Sequence, residues 1–237
     1  MVVIPSYTVV VAILATIALG SPLNTEVQER QTVTCAPVHL FVARGTYEAA
    51  GDGSIGSLAA LIIKANPGAT QEAIDYPAST SPTYIADVST GITAVTNQFK
   101  AYTAACPQSK LVLLGYSQGA QIILDALCGS GSTALGGNGE PTITTSEGAN
   151  IAAIVGYGDP GHVAGESWDQ GTATIDGIYA RPRGACKAWA NVIHSWCNYG
   201  DPYCASGNNV YVHLSYPQTD NSYAAAWANQ QIASHSS

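Results

Sequence analysis

Residues Lys110–Cys128 (KLVLLGYSQGAQIILDALC) restrict what this chain can fold into more than any other stretch. Leu111–Leu114 is an unbroken apolar run of strand length, and the residues after Gly119 carry helical spacing. Between them stands Gly115-Tyr116-Ser117-Gln118-Gly119, a G-x-S-x-G. Two glycines without Cβ atoms let a strand and a helix approach closely around one strained turn residue. Such a turn lifts the Ser117 hydroxyl clear of a sheet. It also aims the free N–H groups of a helix N-terminus at the same point. The construction suits a nucleophile that makes and breaks an acyl bond.

The rest of the chain repeats this alternation. Val38–Val42 reads as a buried strand, Leu58–Ala65 as a helix ended by Asn66-Pro67-Gly68, and Ala73–Tyr76 as a short strand. Tyr84–Cys106 sets Ile85, Val88, Ile92, Val95, Phe99 and Tyr102 at helical spacing and predicts one long helix. Gly129–Glu147 is a loop rich in Gly, Ser and Thr, and Ile151–Val155 is another buried strand. Thr172–Ala180 predicts a strand or an irregular extended segment, Ala188–Ser195 a short helix, and Tyr223–Ser234 a closing amphipathic helix. Apolar strands alternating with helices predict an α/β fold, a central, mostly parallel sheet with helices on both faces. With 237 residues, no internal repeat and no linker, the expectation is a single domain.

Composition bounds the partners. The net charge of −8, from 16 acids and 8 bases, offers no basic stripe for nucleic acid or anionic lipid. Charged residues are only 10% of the chain, which with much Gly, Ser, Thr and Asn predicts a compact secreted protein. Val9–Leu19 is apolar except for Thr16, a signal-peptide core shorter than the ~20 residues that span a bilayer. Residues 1–20 are therefore expected to be a signal peptide cleaved near Ala18-Leu19-Gly20, leaving no membrane attachment. No Lys or Arg precedes the run, so an uncleaved anchor is the alternative. A pro-segment over residues 21–30, ending in Glu29-Arg30, would leave residues 31–237 as the mature domain, starting at Gln31. Nothing suggests a symmetric apolar patch, and a monomer is the default.

Six cysteines follow: Cys35, Cys106, Cys128, Cys186, Cys197 and Cys204. An even number behind an export signal favours three disulfides. His194, Cys197, Cys204 and His213 can be arranged on paper as a zinc site. Their spacings fit no finger pattern, and an oxidising compartment disfavours free thiolates, so no metal is expected.

A hydroxyl needs a base within hydrogen-bond reach, and the base needs an orienting acid. In a strand–elbow–helix hydrolase the order is Ser, then acid, then His. His39 lies before Ser117 inside an apolar strand. His162 follows Asp159-Pro160 too closely to leave an earlier acid on a separate strand end. His194 falls on the expected short helix and His235 in the tail. His213, late in the chain after Val210-Tyr211-Val212, is the best base. Asp159, Asp169, Asp176 and Asp201 are the candidate acids. Asp201 sits between Cys197 and Cys204, and a disulfide there would fix its carboxylate on a tight loop. Asp159, also in a Gly-Asp-Pro, is the runner-up.

These residues resemble the fungal cutinase-like serine esterases, most of all their acetylxylan esterase branch. The likeness covers nearly the whole mature chain. It rests on Cys35-Ala36-Pro37-Val38-His39, Ala43-Arg44-Gly45-Thr46, Gly115–Gly119, Gly158-Asp159-Pro160, the Cys197–Cys204 segment around Asp201, and His213. Gly45 departs from that branch, where an acidic residue often stands, and is more like the cutinases. It is expected to change loop flexibility more than chemistry.

The resemblance implies a small single-domain α/β-hydrolase with Ser117 as nucleophile, His213 as base and Asp201 as its orienter. It implies oxyanion donors at Gln118 and Thr46 and no cofactor. It also implies the pairings Cys35–Cys106, Cys128–Cys186 and Cys197–Cys204. Two substrates fit such an esterase: acetylated xylan, or another plant cell-wall ester such as cutin. Tyr203 stands beside Asp201 where cutinases tend to be aliphatic, and a tyrosine there could shorten the acyl pocket and present a ring to sugar. Between Gly207 and Ala224 the residues are mostly Asn, Tyr, Gln, Ser and Thr, not an aliphatic rim. The expectation is deacetylation of xylan, with cutin hydrolysis as the alternative and an inactive polysaccharide-binding protein as a remote third.

Overall fold

The computed structural model describes residues 34–80, 82–130 and 139–235. The expected signal peptide and pro-segment, and the middle of the Gly129–Glu147 loop, lie outside them. The described residues form a six-stranded sheet with strand order β2-β1-β3-β4-β6-β5. The strands are β1 (Val38–Ala43), β2 (Thr70–Ala73), β3 (Lys110–Tyr116), β4 (Ile151–Tyr157), β5 (Asp169–Gln170) and β6 (Ile193–Trp196). Every strand pair is parallel.

The main helices are α1 (Gly56–Ala65), α2 (Tyr84–Ala105), α3 (Gln118–Cys128) and α6 (Asn221–Ser234). Two single-turn helices, α4 (Val210–His213) and α5 (Tyr216–Thr219), precede α6.

Side-chain alternation along the strands divides the core in two. Phe41, Leu111 and Leu113 face the cluster that contains Val88, Phe99 and Ile122 of α2 and α3. Leu40, Val42, Val112 and Leu114 face the one that contains Leu58, Ile62, Ala228 and Ile232 of α1 and α6. Both faces of β1 and β3 are thus covered, which is why those strands read as unbroken apolar runs.

Two departures from the sequence reading have local causes. β2 lies at Thr70–Ala73, three residues earlier than its apolar residues Ile74 and Tyr76 suggested. The Arg44 guanidinium donates to the Ile74, Tyr76 and Pro77 carbonyls, taking groups that a longer ladder would need. Ala188–Ser195 is not a helix: a 3-10 turn at Lys187–Trp189 runs into β6, which pairs with β4. Thr172–Ala180 takes the irregular of its two expected forms, and its N–H groups go to scattered carbonyls such as those of Cys197, His162 and Pro160.

The disulfides are Cys35–Cys106, Cys128–Cys186 and Cys197–Cys204, the pairings the resemblance implied. The first ties the entry of β1 to the end of α2. The second ties the end of α3 to the segment before β6, and the third closes the loop after β6.

Candidate active site

The loops that leave the carboxyl ends of β1, β3, β4 and β6 meet on one side of the sheet, where parallel α/β sheets build their sites. Ser117 joins β3 to α3 at φ 56°, ψ −121°, a left-handed conformation that is strained for a non-glycine residue. The two elbow glycines are sterically required. A Cβ on Gly119 would lie 2.1 Å from the Ala43 carbonyl oxygen, and one on Gly115 would lie 2.6 Å from Ala120 backbone atoms.

His213 ends α4, whose first turn is capped by the Asn209 side chain accepting from Tyr211 N–H. Its Nε2 is 2.9 Å from Ser117 Oγ and its Nδ1 is 2.8 Å from Asp201 Oδ2. Gly158, at φ +60°, makes room for the ring: a Cβ there would stand 2.7 Å from His213 Cε1. Tyr116 donates to the His213 carbonyl at 3.0 Å, and Tyr203 packs edge-on against the imidazole at 4.5 Å between centroids.

Asp201 is fully buried. Its Oδ1 accepts from the N–H groups of Tyr203 and Cys204, and its Oδ2 from His213 and the Tyr216 hydroxyl. Burial alone would push this carboxyl up; the hydrogen bonds and the His213 charge outweigh it and hold the group below its ordinary value. The Tyr216 phenol is pushed up by burial and by Asp201, so it stays a proton donor.

Gln118 opens α3, so its N–H has no acceptor within the helix and faces the Ser117 turn. Its buried side chain accepts from the Thr46 hydroxyl at 3.3 Å and donates to the Ser79 carbonyl at 3.2 Å. The expected oxyanion pair is thereby linked across the mouth of β1. Above Ser117 opens a cleft of about 440 Å³, with Thr46, Tyr84, Tyr179 and Tyr203 among its walls. Of the sequence-predicted residues, Ser117, Asp201, His213, Thr46, Gln118 and Tyr203 all lie together here.

A profile of the family described as Cutinase matches residues 34–232. The chain belongs to the cutinase family. It is 38% identical over 228 residues to an acetylxylan esterase of Hypocrea jecorina, covering 93% of this chain and 74% of that one. It is also 38% identical over 195 residues to Cutinase 11 of Verticillium dahliae, covering 79% and 65%. The catalytic core domain of acetyl xylan esterase from Trichoderma reesei superposes with a TM-score of 0.80 at 38% identity, covering 84% of this chain and all of that one. The chain is a serine carboxylic-ester hydrolase of this family.

The remaining candidates have other neighbours. Asp159 pairs with Arg181, whose Nη1 is 2.5 Å from Asp159 Oδ2 and whose Nε is 2.7 Å from Asp125 Oδ1, all three side chains buried. Asp169 lies 3.6 Å from His162, and Asp176 accepts from Ala164 N–H. His194 stands on β6, not on a helix, with its ring stacked on Trp227 at 3.8 Å. His39 bridges Thr70 and Glu72 at the β1–β2 edge.

The sequence reading also missed part of the cleft. Ile178, Val210 and Leu214 line it at 47%, 45% and 55% exposure, so an aliphatic lip exists, two members of it inside the 207–224 stretch read as polar. Gly45 has a specific reason: a Cβ there would lie 2.8 Å from the Tyr116 ring. The loop it belongs to is tied down by Glu48, whose carboxylate accepts from Gly45 N–H at 2.6 Å and Ser54 N–H at 2.8 Å.

Proposed function

We propose that this chain is a secreted, monomeric esterase that removes acetyl groups from acetylated xylan through a Ser117–His213–Asp201 triad and an acyl-enzyme. The observation that carries the chemistry is the hydrogen-bonded chain from Ser117 Oγ through the imidazole to Asp201. His213 Nε2 takes the Ser117 proton as Oγ attacks the ester carbonyl. Asp201 holds the Nδ1 proton in place and stabilises the imidazolium. The oxyanion is received by the Gln118 N–H and Thr46, where one donor is worth about 2.7–4 kcal/mol of barrier. The alcohol leaves with the proton from His213, and water, deprotonated by the same nitrogen, releases acetate and restores Ser117.

Tyr203 supports a short acyl group, because its ring stands against the imidazole and occupies one wall of the cleft. The acetylxylan esterase relative, and the solved core domain named for the same activity, point the same way. The three disulfides support an oxidising, extracellular setting. A second reading, cutin hydrolysis, is favoured by the aliphatic lip of Ile178, Val210 and Leu214 and by the equal identity to Cutinase 11.

An acyl-chain series of p-nitrophenyl esters, run beside acetylated xylan and cutin, separates the two. Acetate is expected to be preferred and xylan deacetylated, with all turnover lost in Ser117→Ala. Preference for chains longer than butyrate, with release of cutin monomers, would replace the first reading by the second.

A further inference from the structure

Among the described residues, two in the cleft wall combine a side chain with a left-handed backbone: Ser117 and Tyr47. The strain at Ser117 is explained by the elbow. Tyr47 has no such reason, since glycine would adopt its φ of 64° without cost. Yet the position carries a large aromatic ring, 76% exposed, at the mouth of the cleft. A strained conformation kept at the edge of a site points to a use for the side chain it presents.

The loop is built to hold the backbone that carries the ring. Tyr47 N–H donates to the Ala78 carbonyl at 2.7 Å, and Ala78 is itself left-handed at φ 56°. Arg44 Nε donates to the Glu48 carbonyl at 3.0 Å, and the Glu48 carboxylate grips Gly45 and Ser54 on either side. The backbone is fixed at both flanks while the ring faces solvent. Ordering a tyrosine on binding costs little, because only two side-chain torsions are involved. Tyr47 also directly follows Thr46, the expected oxyanion donor, and lines the same cleft as Ser117, Tyr203 and Leu214.

We propose that Tyr47 is a specificity-determining residue, a preformed stacking platform for a sugar ring of the polysaccharide that carries the scissile ester. This rests on the deacetylase reading above and adds to it the residue that tells a polymer from a small ester. The ring offers an apolar face to the C–H face of a pyranose and leaves its hydroxyl at the wet edge, the arrangement that suits tyrosine at half-open interfaces.

The test compares wild type with Tyr47→Phe, Tyr47→Ala and Tyr47→Gly. The quantity read is the ratio of kcat/KM on acetylated xylan to kcat/KM on p-nitrophenyl acetate. The Ala and Gly variants are expected to lower this ratio about 2–12-fold, the range of an aromatic contact, and Phe to keep most of it. Gly matches the backbone and so separates loss of the ring from added strain. A ratio that does not move, or both substrates falling in step, would overturn the proposal.

Titration of unacetylated xylohexaose into the inactive Ser117→Ala protein gives an independent readout. Sugar binding that weakens by the same factor in Ser117→Ala/Tyr47→Ala supports the platform, and binding that is absent or indifferent to Tyr47 overturns it. Sugar binding that depends on Tyr47, in a protein that does not deacetylate xylan, would sink the functional reading and leave the platform standing.

Discussion

The chain carries the tripeptide Gly-Asp-Pro twice, at 158–160 and at 200–202, and the two copies fold alike. Both glycines take positive φ, +60° and +91°. Both aspartates are buried, and in each Oδ1 accepts the N–H two residues ahead: Gly161 at 2.9 Å and Tyr203 at 2.8 Å. The difference lies across from Oδ2. Asp159 meets Arg181, a cation that never gives up its charge, whereas Asp201 meets His213, whose other ring nitrogen stands 2.9 Å from Ser117 Oγ. The local sequence therefore builds an Asp-centred turn, and the tertiary partner decides whether that turn is a clamp or part of the proposed triad. Arg181 also binds α3 through Asp125 and the Gln121 carbonyl. The clamp thus joins the helix behind Ser117 to the loop whose Gly158 touches His213.

The largest effect expected from this contrast falls on turnover. Asp201→Asn keeps the shape but offers His213 Nδ1 an amide N–H, which drives the imidazole proton to Nε2, where it cannot accept from Ser117. The expected loss in kcat is about 10³–10⁴-fold with the thermal midpoint little changed. Asp159→Asn is expected to do the reverse. It strips Arg181 of its two-point partner inside the core, where breaking a buried pair costs about 3 kcal/mol even with Asp125 remaining. For a domain of this size that is a fall in Tm of about 6–12 °C. The surviving folded protein should turn over p-nitrophenyl acetate within a few-fold of wild type. Steady-state kinetics and thermal unfolding on both variants decide the matter. If Asp159→Asn lost turnover a thousandfold at unchanged Tm, the two roles would have to be exchanged.

What could be read from the sequence follows the same division between local and long-range causes. The elbow was legible because G-x-S-x-G encodes a local steric demand, which Gly119 meets against the Ala43 carbonyl. β1, β3 and β4 were legible because burial on both faces leaves unbroken apolar runs. Asp201 was preferred because two nearby cysteines marked a constrained loop. The clamp was not legible, since Arg181 is 22 residues from Asp159 and 56 from Asp125. Tyr216 was passed over because its distance from Asp201 closes only when α4 and α5 each make one turn. The aliphatic lip was missed for a similar reason. Ile178 comes from an irregular segment held by Tyr203 and Pro160 backbone contacts, and joins Val210 and Leu214 only in three dimensions. β2 was misplaced because Ile74 and Tyr76 look like strand residues, while their carbonyls are claimed by the Arg44 side chain.

The smallest effect sharpens the charge argument at the clamp. Arg181 brings one positive charge to two buried carboxylates, so ionising both leaves an excess negative charge in the core. Asp159 takes the two-point contact; Asp125 meets only Nε. Burial, helped by the nearby Asp159, pushes the Asp125 carboxyl up to about 6 in spite of Arg181. A raised carboxyl pKa means that the native state keeps a proton the unfolded chain has released. The resulting stabilisation is full below the ordinary value near 3.8 and fades as the pH rises through about 6. Asp201, held low, has the opposite slope, but it is present unchanged in an Asp125→Asn variant and cancels in a comparison with wild type. The variant stays neutral at every pH and still accepts from Arg181 Nε. Its Tm relative to wild type is therefore expected to rise by about 4–8 °C between pH 4.5 and pH 7.5, the equivalent of about 2 kcal/mol. Thermal unfolding of both proteins across that range measures the gap. A gap that stays constant would mean that Asp125 is ionised throughout, and that the core holds the uncompensated charge which the Arg181 geometry argues against.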